Sequence, residues 1–211
     1  MSSWGERSLP LLDWGVAAHR LAGQAVSGDL HLVQPFVNGV LVAAVDGLGH
    51  GEEAAVAARA AVATLAAHAG QSVVNLVRRC HAAMRGTRGA AMSLASFDPV
   101  AATLAWTGVG NVEGVLLRAE AGAPRESILL HGGIVGCQLP PLGAGLIPVQ
   151  PGDTLIFATD GVHSGFGEGP VANETPQQHA DRLLAHYAKG TDDALVLVAR
   201  WLGLPAAGAQ P

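Results

Sequence analysis

The sequence is poor in several features that define large classes of protein. Among its 211 residues it has 2 cysteines, 4% aromatic residues and 14% charged residues. Cys80 and Cys137 do not form a CxxC pair, so a disulfide scaffold is excluded and a reducing, cytoplasmic compartment is favoured. A net charge of −5 and few aromatic side chains argue against binding to nucleic acid, which needs a basic face and rings that stack on bases.

Long hydrophobic runs are also absent. Asp46 ends the apolar run Val40–Val45, and Arg59 interrupts the alanine-rich run around it. A membrane-spanning helix needs about 20 nearly uncharged apolar residues, so the sequence predicts no such segment. The N-terminal residues contain Glu6 and lack a basic region followed by an apolar core, so we expect no secretory signal.

The sequence does contain enough apolar residues for a sizeable core. The apolar fraction is 49%, which excludes intrinsic disorder, and a chain of this length hides roughly two thirds of its unfolded surface on folding. No internal repeat and no interior linker is recognisable, so we expect one domain over residues 1–211. We expect its core at about 11–201 and a frayed tail at 203–211, which is rich in Pro, Gly and Ala.

Hydrophobic periodicity predicts a series of strands and three helices. The predicted strands are Leu11–Arg20, Asp29–Pro35, Asn38–Val45, Ala91–Phe97, Thr103–Thr107, Gly114–Arg118, Ser127–His131, Gly145–Val149, Thr154–Ala158 and Leu195–Trp201. The predicted helices are Glu52–His68, Ser72–Arg85 and Gln177–Ala188. Runs of strands that flank a pair of helices indicate an α+β layered domain and not alternating βαβ units.

Aspartates lie at the ends of several predicted strands. Asp46 and Asp160 each follow an apolar strand and are followed by glycine, whereas Asp192 and Asp193 precede the last strand and Asp29 begins the second. A strand end holds a carboxylate rigidly, and a following glycine lets the backbone approach a ligand closely. Hard divalent cations take such oxygen ligands, so the pattern predicts a site for two cations that bind a phosphate.

The same dipeptides have a simpler interpretation. Asp-Gly pairs are common in ordinary surface turns, and sequence spacing alone does not show that the aspartates converge in space. Each aspartate taken singly is more commonly part of an ordinary turn, whereas the set, with each member joined to a buried strand, supports the hypothesis of a site.

The motifs resemble those of the metal-dependent protein phosphatases, the PPM or type 2C superfamily, which includes a SpoIIE-like bacterial branch. Val45–Gly51 (VDGLGHG) resembles the first metal motif of that family, and Ala158–Val162 (ATDGV) resembles the second. Gly190–Ala194 (GTDDA) resembles the last motif, and Ser27–Asp29 (SGD) resembles a segment near the family's start. The order matches from about Leu11 to Trp201, and the resemblance implies a four-layer α-β-β-α sandwich with two central antiparallel sheets.

The resemblance also implies roles for individual residues. Asp46 is expected to bridge two metal ions, Gly47 to give its carbonyl to one of them, and Asp160 and Asp192 to bind the other. Asp29 is expected to act through metal-bound water, so that Asp46 and Asp29 are the candidate catalytic residues. The implied ions are Mn²⁺ or Mg²⁺, two per site, which activate a water that attacks the phosphorus in line.

Candidates for substrate binding are weaker. His50 in the first motif would assist proton transfer to the leaving group or orient the following helix. Asn111 would contact the site or belong to a plain turn. Gly165 opens a glycine-rich stretch that is either a mobile flap beside the active site, as in relatives, or an ordinary surface loop.

Within the family, the bare catalytic domain looks most like the stand-alone phosphatase of the bacterial stressosome. That resemblance implies a protein serine/threonine phosphatase that acts on phosphorylated STAS-domain proteins of a stress-signalling complex. Two alternatives remain open: a catalytically inactive partner-binding domain of the same fold, and a small-molecule phosphatase on the same metal site.

Overall fold

Two stacked β-sheets form the centre of the molecule in the computed structural model, which describes residues 11–120, 122–167, 169 and 173–204. The first sheet has the strand order β1 (Leu12–His19), β11 (Ala194–Trp201), β10 (Thr154–Ala158), β6 (Glu113–Leu117) and β7 (Glu126–Ser127). The second has the order β2 (Asp29–Phe36), β3 (Gly39–Gly47), β4 (Ala90–Asp98), β5 (Thr103–Val109) and β8 (Leu130–His131), and β9 (Gly145–Pro148) also pairs with β5. All of these pairs are antiparallel except β5–β8, which is parallel.

Helices cover the outer faces of both sheets. Helices α1 (Glu52–His68) and α2 (Val73–Ala83) pack on the second sheet, and α3 (Pro176–Tyr187) packs on β1 and β11 of the first. The resulting α-β-β-α sandwich confirms the predicted fold class. None of the helices within the described ranges is long and apolar enough to cross a membrane.

Three layers of apolar side chains hold these four layers together. Between the sheets, Phe97 and Trp201 stack with ring centroids 5.2 Å apart, and Phe157 is fully buried beside them. The second layer lies under α1 and α2 and the third under α3. Because β3, β10 and β11 are covered on both faces, their sequences are nearly continuous apolar runs.

Helix α1 lies very close to the second sheet because its inner face is alanine. Ala54, Ala57, Ala58 and Ala61 are fully buried. A Cβ atom added to Gly47 would lie 2.1 Å from the carbonyl oxygen of Ala54, so only glycine fits at that position. This contact fixes the start of α1 against the end of β3.

The predicted boundaries agree with the structure for most elements, and two differ in an informative way. The predicted strand Ser127–His131 is two short strands in different sheets, because the buried Ile128 between them donates its backbone N–H to Gly114 and turns the chain. Strand β3 extends to Gly47, so Asp46 lies inside the strand and does not follow it. The part of the expected tail from 205 to 211 lies outside the described residues.

Candidate active site

Two aspartates face each other at one end of the second sheet. In the antiparallel β2–β3 pair, Asp29 is the register partner of Asp46. Asp29 is 5% exposed, and Asp46 is partly buried. Two carboxylates brought together in this way repel each other unless a proton or a cation lies between them.

The first sheet brings two more carboxylates to the same end of the sandwich. Asp160 follows β10, and Asp192 precedes the antiparallel neighbour β11. The Oγ1 atom of Thr159 donates a hydrogen bond of 2.6 Å to Oδ2 of Asp29, which links the two sheets directly. We call Asp29, Asp46, Asp160 and Asp192 the acidic cluster.

The electrostatics of the acidic cluster are unfavourable for the charged forms. The pKa of Asp46 is raised to about 8, first by burial and then by the negative charges of Asp29 and Asp160. Burial likewise raises the pKa of Asp29 to about 7, although the hydrogen bond from Thr159 opposes this shift. The pKa of Asp160 is raised by burial and by Asp192, against the opposing charge of Lys189.

The adjacent residues Asp192 and Asp193 differ in what their carboxylates do. Asp193 is 3% exposed, and its two oxygens accept the backbone N–H groups of Leu21 at 2.8 Å and Gly28 at 2.6 Å. The Oδ1 atom of Asp192 accepts the N–H of Asp193, and its side chain is partly exposed. Asp193 therefore fastens the 21–28 loop to β11, while Asp192 is available to a ligand.

Glycine allows the two acidic motifs of the first sheet to approach each other. A Cβ atom added to Gly161 would lie 1.9 Å from the carbonyl oxygen of Asp193. No side chain can be accommodated at that distance. The glycine after Asp160 therefore sets how close the β10 end comes to the start of β11.

Two contributors were not singled out from the sequence as site residues. Thr159 is 2% exposed, and its Oγ1 atom also accepts the N–H of Leu195 at 2.8 Å, so its proton is directed to Asp29. The Nζ atom of Lys189 donates to the carbonyl oxygen of Asp160 at 2.5 Å. The Thr-Asp-Gly sequence is a local signal for the first residue, whereas nothing local marks Lys189.

The weaker candidates lie in different environments. Asn111 donates from Nδ2 to Oδ2 of Asp160 at 2.7 Å, so it contacts the acidic cluster. His50 is exposed in the loop after β3. Gly165 is exposed and has a φ of 102°, and nothing lies within 4 Å of the position of a Cβ atom there.

The chemistry of the acidic cluster suits hard cations. Several carboxylates lie close together here and only one lysine is near them, so the group attracts positive charge. Oxygen is the ligand that divalent Mg²⁺ and Mn²⁺ prefer. Among the described residues, no three His, Cys, Asp or Glu side chains are grouped closely enough to hold one ion by themselves. An ion bound here therefore takes backbone carbonyl and water oxygens as well as carboxylates, as Mg²⁺ usually does.

An α-β-β-α sandwich with aspartates from both sheets meeting at one end defines a metal-dependent phosphatase of the PPM class. The protein-family model described as Stage II sporulation protein E (SpoIIE) matches residues 37–202. The chain belongs to this SpoIIE family.

Solved structures with the same fold include proteins of bacterial signalling. One, from work on the bacterial stressosome as a modular system adapted to control secondary messenger signalling, is 30% identical, with a TM-score of 0.82 over 90% of this chain and 99% of that chain. RsbX in complex with magnesium is 20% identical, with a TM-score of 0.77 over 90% of this chain and 95% of that one.

A more distant structure has the same architecture. The serine/threonine phosphatase PstP of Mycobacterium tuberculosis is 18% identical, with a TM-score of 0.69 over 92% of this chain and 100% of that chain. Comparison with curated protein sequences finds no significant match.

Proposed function

We propose that the chain is a cytoplasmic protein phosphatase that removes phosphate from serine and threonine of STAS-domain proteins in a stressosome-type complex. The observation that carries this proposal is the acidic cluster, in which the pKa values of Asp29 and Asp46 are raised to about 7 and about 8. Such a cluster is costly for folding, and catalytic centres are where proteins retain such costs. The catalytic unit is the domain 1–211, with the site at one end of its sandwich.

The site residues have distinct roles in this proposal. Asp46 would hold two divalent ions, Mn²⁺ or Mg²⁺, while Gly47 would contribute its carbonyl oxygen to one ion and Asp160 and Asp192 would hold the other. When bound, the cations supply the Lewis acidity that makes water nucleophilic at neutral pH and offset negative charge on the phosphoryl group.

Asp29 orients the attacking water. Its Oδ2 atom is occupied by the hydroxyl of Thr159 at 2.6 Å, so Oδ1 is the oxygen left to accept a hydrogen bond from water. Because Thr159 is fixed in turn by the N–H of Leu195, the carboxylate of Asp29 is held in one orientation. Pre-orientation of this kind lowers the entropic cost of the reaction.

The surroundings of the acidic cluster support a protein substrate over a small molecule. Asn111 and Lys189, which contact Asp160, are exposed, so the site opens to the surface. Small-molecule sites normally enclose most of their ligand, whereas a phosphorylated side chain on a protein surface needs an open approach. Similarity to RsbX and to a structure from work on the bacterial stressosome supports the choice of STAS-domain substrates.

The proposal is tested by phosphate release from a phosphoserine STAS-domain protein and from p-nitrophenyl phosphate. Each substrate is assayed with Mn²⁺, with EDTA and with the Asp46→Asn variant. We expect Mn²⁺-dependent release from both substrates, and its loss in EDTA and in the variant.

The other outcomes are informative in different ways. Release from p-nitrophenyl phosphate alone would retain the chemistry and remove the STAS-domain partner. No release from either substrate, by a protein with a cooperative unfolding transition, would reject the enzyme and favour a partner-binding domain.

A further inference from the structure

The positive charges of the chain are concentrated in one segment. Between positions 54 and 97 the sequence has five arginines and no acidic residue, although the net charge of the whole chain is −5. The segment includes most of α1, all of α2 and most of β4. Its arginines, all exposed, are Arg59, Arg78, Arg79, Arg85 and Arg88.

The arginines of this segment differ in their ion pairs. Arg59 and Arg88 form ion pairs with Glu52 and Glu53 at the start of α1. In the part of the chain that the structure describes, no ion pair involves any of the other three. We call this surface, formed by Arg78, Arg79 and Arg85, the α2 basic face.

The elements that pack beside α2 do not neutralise this face. The loop 132–144 has no charged residue, and it contacts α2 through Gly136, whose N–H donates to Nδ1 of His81 at 3.0 Å. Arg79 donates to the neutral amide oxygen of Gln71 at 2.7 Å. The charge therefore faces solvent, where it acts on an approaching partner.

The α2 basic face leads towards the acidic cluster. Helix α2 begins after Ser72, which lines a groove with Phe36 and Val37 at the sandwich end opposite the cluster. The segment that follows α2 reaches the glycine-rich loop of the first metal motif, where Leu48 donates its N–H to the carbonyl oxygen of Gly89 at 3.0 Å. Arg85, two residues after the end of α2, is thus on the acidic-cluster side of the helix.

We propose that the α2 basic face docks an acidic surface of the phosphoprotein substrate, which rests on the proposed function. A phosphoserine carries about −1.5 to −2 charges at pH 7, and exposed arginines along an element that runs towards the acidic cluster would steer such a partner towards it. Between positions 54 and 96 there is no Phe, Tyr or Trp, so the face lacks the rings on which nucleic-acid bases stack.

The test compares two phosphoserine peptides of equal length, one flanked by Asp and Glu and one by uncharged residues. At low salt we expect the wild-type protein to favour the acidic peptide by about tenfold in kcat/KM, a modest steering effect. The preference should shrink as salt is added, since exposed charges are screened. The triple variant Arg78→Gln, Arg79→Gln, Arg85→Gln should bring the ratio to about one while leaving p-nitrophenyl phosphate hydrolysis unchanged.

Two control variants separate the effect of charge on the α2 basic face from the effect of the net charge of the protein. The triple Lys variant at the same three positions keeps the charge and should keep the preference. A second triple variant places Glu at the exposed residues Val100, Leu129 and Leu146, which lowers the net charge by the same amount elsewhere, and it should keep most of the preference. An equal loss in this second control would reject a specific face.

The assay separates failure of this proposal from failure of the proposed function. Binding of a fluorescein-labelled acidic peptide, followed by anisotropy, reports on the α2 basic face even when no phosphate is released. A preference that survives in the Gln variant overturns the proposal. So does a Gln variant whose only change is in self-association or in affinity for a 20-nucleotide DNA.

Discussion

The Arg118 ion pairs and the acidic cluster are two groups of carboxylates at partly buried positions, and their charges are balanced in different ways. At one, Arg118 forms ion pairs with Asp153 and Glu126, and the backbone N–H groups of Ala119 and Gln150 complete the partners of Asp153. At the other, the acidic cluster Asp29, Asp46, Asp160 and Asp192 has Lys189 as its nearest cation, and that ammonium donates to a backbone carbonyl.

The difference separates a group that stabilises the fold from one that does not. The Arg118 cluster, formed by Arg118, Glu126 and Asp153, balances its own charge and ties β6 and β7 to the turn before β10. The acidic cluster leaves its charge unbalanced at the junction of two sheets. Uncompensated carboxylates of this kind are typical of functional sites, where a bound cation would offset their charge.

The largest expected effect is on activity. Asp192→Asn removes a proposed ion ligand, so we expect phosphate release with Mn²⁺ to fall by at least about 100-fold. Glu126→Gln, the matched change in the Arg118 cluster, should leave the turnover of folded protein within about twofold. Comparable losses in the two variants, measured by steady-state kinetics, would remove the distinction between the clusters.

A second prediction concerns the Arg118 cluster, where we expect a loss of stability and no loss of turnover. Arg118→Met leaves Asp153, which is 2% exposed, without its cation. We expect the free energy of unfolding in urea to fall by about 3 kcal/mol, with unchanged kcat for the folded fraction. The control Arg125→Met, at an exposed position, should cost about 0.5 kcal/mol or less. A loss no larger than that of the control would contradict the structural role.

The third prediction concerns pH. The pKa values of Asp29 and Asp46 are raised to about 7 and about 8 from 3.8, so the native state binds more protons than the unfolded state between these limits. In EDTA, the free energy of unfolding should therefore fall by several kcal/mol as the pH rises from 5 to 8. Asp46→Asn should flatten this slope and be more stable than wild type at pH 8.

Addition of Mn²⁺ sharpens the same experiment. A ligand that binds only the native state stabilises it, so the melting temperature at pH 8 should rise with Mn²⁺ for the wild type and much less for Asp46→Asn. An unfolding free energy that is flat with pH in EDTA would show that the acidic cluster carries no electrostatic cost.

The smallest effects are expected at the polar neighbours of Asp160. Asn111→Ala removes a donor to its carboxylate, and Lys189→Met removes the charge that lowers its pKa. Because both side chains are exposed, the effects should be small. The half-saturating Mn²⁺ concentration should rise by about 3- to 10-fold in Asn111→Ala, which loses a group that orients the carboxylate, and should fall in Lys189→Met, which loses a like charge beside the cation. Ser164→Ala, which breaks a hydrogen bond to Glu113, serves as the control. A change no greater than in this control would show that Asn111 and Lys189 do not tune the site.

The elements and the main carboxylates could be predicted because their signals are local. Buried strands are continuous apolar runs, and a carboxylate at the end of such a run is conspicuous. The helix Glu52–His68 and the strand Thr154–Ala158 match their predicted bounds. For the aspartates, the local sequence predicted positions at strand ends. The structure adds the register of β2 with β3, which places Asp29 opposite Asp46.

The contacts between elements could not be predicted in the same way. The bond from Thr159 to Asp29 joins residues 130 positions apart, and that from Asn111 to Asp160 joins residues 49 apart. Such pairs depend on how the sheets stack, which no local pattern encodes. The division of Ser127–His131 between two sheets also follows from packing, because Ile128 turns into the core.

The hydrogen bonds that Asp193 accepts from Leu21 and Gly28 have a consequence for folding during synthesis. Its carboxylate holds Leu21 and Gly28, which precede it by 172 and 165 residues, and β11 closes the first sheet against β1. Loop closure over such distances is slow and comes late in folding. On the ribosome, we therefore expect the segment 21–28 to stay unattached until the last strand emerges, and a chain that stops before residue 192 lacks both Asp192 of the acidic cluster and the carboxylate that holds Leu21 and Gly28.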